Sequence, residues 1–178
     1  MKGFGEKKQS KKRKNNSIKK DIVNKNELLK KAFNLQAQGE KLEAAKYYAY
    51  LIKIGFQDYR VFSNYGTFLK ESGNYRDAEF ALRKAIKLNP QYANAYYNLS
   101  GIFIDQGNLL EAEKYLKKAI ENNKNFAIAY YNLGFILKDL GRLKEAALNT
   151  EKAIEIDPDM TDGYLSLSTM PKTKNKNN

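Results

Sequence analysis

The chain is 178 residues long and carries 32 Lys and Arg against 20 Asp and Glu, a net charge of +12, with no Cys and no His. That length suits one compact domain or one short repeat array, and the missing residue types exclude thiol nucleophiles, disulfides, thiolate metal sites and imidazole proton relays. No apolar run approaches the ~20 residues of a membrane helix, and no apolar stretch follows the charged start as it does in a secretory leader, so the expected compartment is the cytoplasm.

The charge sits at the ends. Residues 1–24 hold nine Lys and Arg against Glu6 and Asp21, while 25–160 hold twenty against seventeen. Low apolar content and high charge predict a disordered basic arm over 1–24. It has three readings: a phosphate-binding arm, a nuclear address at KKRK 11–14, or a solvated tail. The chain has 27 Lys to 5 Arg, and 19 Asn; that bias inflates basic runs everywhere and favours the tail. Only Phe4 interleaves with the cluster, so bases would have no stacking platform.

From residue 25 the chain repeats every 34 residues, giving units 25–58, 59–92, 93–126 and 127–160 and a partial fifth over 161–168. The pentapeptide AYYNL recurs at 95–99 and 129–133. Position 8 of each unit is Ala32, Gly66, Ser100 and Gly134; position 15 is Gly39, Gly73, Gly107 and Gly141; position 20 is Ala44, Ala78, Ala112 and Ala146. Tyr96, Leu99 and Phe103, then Leu109, Ala112, Leu116, Ala119 and Ile120, follow i, i+3, i+4 spacing in two runs, which predicts two amphipathic helices per unit and no strands. The glycine at position 15 separates the runs, where a helix end favours a left-handed residue. Small residues at 8 and 20 let the paired helices approach closely. Pro90 and Pro158 stop second helices.

Tyr130, Leu133, Gly134, Leu137, Ala146, Ala153 and Pro158 stand in the order of the tetratricopeptide repeat, and residues 25–160 resemble that family. The first unit departs at Lys31, Leu51 and Phe56, and the third at Lys124; Lys31 marks unit one as an N-terminal cap. The resemblance implies an all-α solenoid of four helix-turn-helix units, closed by a short helix carrying Tyr164 and Leu167 and followed by a disordered tail over 169–178. Such a unit cannot bury its apolar face alone, so stacking supplies the core.

In this family the first helices line a concave groove through positions 2, 5, 6, 9, 12 and 13. Mapped here, these give Arg60, Asn64, Asn94, Tyr97, Asn98, Tyr131, Asn132 and Phe135 as the candidate peptide-binding residues. Asn64, Asn98 and Asn132 share position 6. An amide both donates and accepts, so such a row could grip any extended backbone: first helices ~10 Å apart would meet a strand rising ~3.3 Å per residue at every third residue. This is similar to the asparagine ladder in the repeat arrays of O-linked N-acetylglucosamine transferases. The alternative is that these asparagines only bridge local backbone, and both readings stand. Tyr96 and Tyr130 are expected in the core, Tyr97 and Tyr131 in the groove. The clamp for chaperone C-termini would need basic residues and Asn where Leu29, Phe33, Ile128 and Asn132 stand, so it is disfavoured.

The opening MKGFGEKKQSKK also resembles bacterial proteins in which such an array precedes a transferase domain. The expectation is a protein-protein interaction scaffold or adaptor binding an extended peptide, not an enzyme and without a cofactor. Its partner is a protein or peptide, neither membrane nor nucleic acid; the chain is a monomer, with self-association through the open C-terminal unit as a further option. The alternatives are a nucleic-acid-associated protein using the basic arm, and a transferase-type array lacking its catalytic domain.

Overall fold

The computed structural model describes residues 24–170, so the readings of the basic arm and the Lys/Asn tail lie almost wholly outside the described residues. Nine helices occur among those residues: α1 (24–37), α2 (Lys41–Lys53), α3 (Tyr59–Glu71), α4 (Tyr75–Leu88), α5 (Ala93–Asp105), α6 (Leu109–Asn122), α7 (Ala127–Asp139), α8 (Leu143–Ile156) and α9 (Thr161–Ser168). Helix α1 already begins at residue 24, and Met170 beyond α9 is buried in the core. The all-α array of helix-turn-helix units expected from the 34-residue period is present.

The turn inside each unit is set by its glycine. Gly39, Gly73, Gly107 and Gly141 have φ of +83°, +76°, +72° and +74°, where a Cβ would be strained. The next backbone N–H then reaches back to a carbonyl of the finished helix, as Asn74 does to Leu69 at 2.9 Å and Asn108 to Phe103 at 2.8 Å. This six-to-one bond closes the last turn and lets the chain reverse. Unit one uses the same device again: Gly55 (φ +75°) ends α2, and Phe56 N–H bonds Leu51 O at 2.9 Å. Later second helices instead end at extended Asn89, Asn123 and Asp157. Phe56 in the usual proline position thus accompanies a different exit from the helix.

Helix pairs α3–α4, α5–α6 and α7–α8 make the most extensive contacts, and each second helix touches the next first helix. The alanines at position 20 are at most 1% exposed, and Leu51, Ala85, Ala119 and Ala153 at position 27 are fully buried. Position 8 sets the spacing. A Cβ on Gly66 would lie 2.8 Å from Leu82 Cγ, and one on Gly134 would lie 2.4 Å from Thr150 Oγ1 and 3.0 Å from the Ala146 carbonyl oxygen.

A charged network joins units three and four. Glu113 on α6 has a side chain only 9% exposed; it meets Lys117 Nζ at 2.6 Å and Arg142 Nη1 at 2.7 Å, and Arg142 Nη2 also reaches Glu145 at 2.6 Å. Burial pushes the Glu113 carboxyl up, but hydrogen bonds from Lys117 and Arg142 outweigh it and hold the group below the ordinary value of 4.5. A carboxyl depressed by folding stabilises the folded state fully above its unfolded value, and that contribution is lost as pH falls through the lower folded one.

Two outcomes follow. Gly134→Ala should cost about 1–3 kcal/mol in urea unfolding, because the new methyl meets backbone as well as Thr150. Glu113→Gln should cost about 1.5–3 kcal/mol at pH 7, and the cost should shrink as pH falls through the lowered folded value of the wild-type carboxyl; a loss that does not change with pH would deny the network its electrostatic role.

Candidate functional site

All eight residues mapped to the groove lie on first helices: Arg60 and Asn64 on α3, Asn94, Tyr97 and Asn98 on α5, and Tyr131, Asn132 and Phe135 on α7. Helices α3 and α5 touch directly, and Asn132 on α7 bonds Tyr97 on α5, so these three first helices share one face.

The three asparagines are half-buried, and each amide already has work to do. Asn64 Nδ2 donates to the Tyr48 hydroxyl at 3.1 Å, Asn98 Nδ2 to Thr67 Oγ1 at 2.9 Å, and Asn132 Nδ2 to the Tyr97 hydroxyl at 3.2 Å. Each bond crosses from one unit to the unit before it. Two of the orientations are fixed by the acceptor's own proton. The Thr67 hydroxyl donates to the Ser63 carbonyl at 3.0 Å, and the Tyr48 hydroxyl donates to Gln36 Oε1. Their oxygens can therefore only accept, and only the Nδ2 side of an amide can supply the proton. The carbonyl oxygens Oδ1 of Asn64, Asn98 and Asn132 accept no hydrogen bond among the described residues. The row thus offers acceptors, and the second N–H of Asn64 and of Asn132 has no partner among the described residues, so those two amides can still donate.

The aromatic residues divide. Tyr97 is half-buried, with its hydroxyl accepting from Asn132 and its ring 5.2 Å from that of Phe126; burial holds its phenol above the usual range, against the lowering effect of the Asn132 bond. Phe135 and Ile128 on α7 stand open, 45% and 39% exposed, and Tyr131 is half-buried. Tyr96 and Tyr130 pack against the main core as partly buried side chains.

Arg60 and Asn94 sit at the start of their helices. Arg60 makes two contacts to Asp58, at 3.0 and 2.7 Å, and lies over the rings of Phe33 and Tyr59 at 5.3 and 5.9 Å. Asp58 also caps α3 through Arg60 N–H at 2.8 Å, so the guanidinium belongs first to the helix start. Asn94 is exposed and reaches the Tyr92 hydroxyl at 3.4 Å. Sequence mapping missed these commitments, although an Asp two residues before an Arg at a helix start was their visible sign.

Further along the face, Lys70 on α3 approaches Asp105 on α5 at 3.4 Å, and its ammonium lies over Gly101, 3.1 Å from where a Cβ would stand. Lys41 meets Glu71 at 2.8 Å. A pocket of about 50 Å³ near Tyr48, Asn64 and Thr67 has room for water but not for a large side chain. No described helix is long and apolar enough to cross a membrane.

Two tetratricopeptide repeat models match the chain, one over residues 69–134 and one over 127–160. Among solved structures the chain is similar to MamA, at 26% identity and a TM-score of 0.67 over 76% of this chain and 80% of that one. It is similar to the Arabidopsis OM64 TPR domain, at 25% identity and a TM-score of 0.59 over 62% of this chain and 91% of that one. In fold alone it is also like YrrB, described as a TPR protein with an unusual peptide-binding site, at 21% identity and a TM-score of 0.64 over 79% and 72% of the two chains. No curated protein matches.

Asn98→Ala should cost only about 1 kcal/mol in chemical unfolding, since Thr67 keeps its bond to Ser63 and no buried group is stranded. A loss beyond about 3 kcal/mol would make that amide chiefly structural.

Proposed function

The chain is a tetratricopeptide repeat protein, and we propose that it acts as an adaptor or scaffold whose first-helix face holds an extended segment of a partner protein. The observation that carries this reading is the uncommitted row of Oδ1 acceptors on Asn64, Asn98 and Asn132, held in place by the inward bonds of the same amides. An extended segment presents backbone N–H groups irrespective of its side chains, and a row of acceptors spaced by the helix repeat would take them one by one. Orienting the amide in advance lowers the ordering cost on binding.

Beside the row, Phe135, Ile128 and Tyr131 supply apolar area of the kind that anchors an interface. The partner segment is accordingly extended and partly apolar rather than an acidic C-terminus, since Leu29, Phe33, Ile128 and Asn132 do not form a basic clamp. YrrB, similar in fold, carries a peptide-binding site by its description, which is in keeping with this use of the architecture.

A phosphate-binding role would draw on the lysines of the second helices. There Arg83, Lys114, Lys117, Lys118 and Lys152 are each paired with a glutamate, whereas Lys53, Arg76, Lys84, Lys87 and Lys144 are in no ion pair among the described residues, so salt dependence is the observation that separates the two readings.

The test is a displayed library of unstructured peptides, with the best binders measured against the full chain and its Asn98→Ala, Asn132→Ala double variant. Losing two hydrogen bonds should weaken binding by about tenfold or more, while affinity changes little between low and moderate salt. Unchanged affinity in the double variant would overturn the ladder; a steep fall with salt would point to phosphate-type binding instead.

A further inference from the structure

A pocket of about 200 Å³ opens between α2, α3 and α4, walled by Ile52, Phe62, Tyr65, Leu69, Phe80 and Ala81, with Asp77 also lining it. Phe80 in its wall is 72% exposed, more than any other large apolar side chain among the described residues.

The repeat itself explains the space. Thirty-four residues further on, unit three sets Tyr96, Leu99 and Phe103 at the positions of Phe62, Tyr65 and Leu69, with Ile86 of unit two in the place of Ile52, on a helix pair of the same lengths, 13 and 14 residues. At the position of Ala81, however, it carries Tyr115. That ring is 9% exposed, stacked on Phe103 with centroids 5.3 Å apart and planes 5° apart, and its hydroxyl accepts from Arg83 at 3.0 Å. Where unit three inserts an aromatic ring from its own second helix, unit two has a methyl group, and the volume stays open.

The neighbouring position changes in the same sense. Unit three reads Lys114-Tyr115, a cation followed by the filling ring, whereas unit two reads Phe80-Ala81; in unit one Lys46-Tyr47 borders a pocket of about 340 Å³, so a tyrosine at this position does not by itself close the space. Lys114 lies over the Tyr115 ring at 5.6 Å. Unit two therefore combines an empty slot with an apolar rim in place of a filled slot with a charged rim.

We propose that this slot receives an aromatic side chain from a partner polypeptide, as a contact point separate from the first-helix face. An apolar cavity of about 150 Å³ is known to take up benzene, and the volume here exceeds that. Phenylalanine suits it better than tyrosine: the residue 34 places before Arg83 is Ala49, so no guanidinium stands ready for a hydroxyl, and Leu69 replaces the stacking ring of Phe103. Phe80 offers the incoming ring an edge or a face.

The experiment follows isotope-labelled full chain by NMR during titration with toluene and, separately, with N-acetyl-phenylalaninamide, a phenyl ring carried on a backbone. Both should shift the resonances of Ile52, Leu69, Phe80 and Ala81 and leave Phe103 and Leu116 unmoved. Ala81→Tyr should raise the melting temperature and weaken both ligands at least tenfold; should that variant fail to fold, Ala81→Leu must show the same weakening. The Asn98→Ala, Asn132→Ala double variant should bind both probes as the wild type does, which separates this site from the proposed backbone ladder. The inference falls if toluene leaves these residues unmoved, if toluene enters but the blocked amino acid does not, or if filling the slot leaves affinity unchanged.

Discussion

Everything in this fold depends on how closely two helices within a unit can approach. The described helices of 8 to 14 residues are too short to be stable alone in water, and a pair cannot enclose a core by itself. Close approach at positions 8 and 20 makes the pair work: Gly66 and Gly134 leave no room for a methyl group, and the alanines at position 20 are sealed off from water. Ser100 varies the theme, spending its hydroxyl on the Tyr97 carbonyl at 2.6 Å and so remaining fully buried without a stranded polar atom. Once the pairs are tight, the first helices come into register and their outward positions become one surface.

That surface owes its chemistry to hydroxyls rather than to the asparagines alone. Thr67 and Tyr48 each pass their proton to another oxygen and so dictate which end of the neighbouring amide turns inward. The amide is thereby oriented, with one N–H committed to the neighbouring unit and Oδ1 without a partner among the described residues. The same bonds tie successive units together, so the bridging role of Asn98 and Asn132 occupies the Nδ2 atom and leaves Oδ1 without a partner among the described residues.

The helical array was legible in the sequence because its determinants are local and recur. The period, the turn glycines and the small residues at 8 and 20 can be read one unit at a time. The partners of the amides could not be, since Asn98 meets Thr67 across 31 residues and Asn132 meets Tyr97 across 35, and choosing among several hydroxyls needs three-dimensional positions. Arg60 was assigned to the groove by its place in the repeat, while its hold on Asp58 came from the residue two before it. The open slot beside Ala81 escaped notice for the opposite reason: a small residue at one position of one unit looks like ordinary variation until the ring that fills its counterpart is seen. Gly55, likewise, became a helix exit only once its left-handed backbone was known.

Among the described residues, substantial contact from α2 to α9 runs between helices adjacent in the chain, apart from α3 against α5. Mechanically, such an assembly is a spring rather than a ball. A pull on its two ends is carried in series through every joint, so the weakest joint yields first and the rest keep their shape. The joint between units three and four is spanned by Arg142 to Glu113 at 2.7 Å, and that between units two and three by the longer Lys70–Asp105 contact at 3.4 Å.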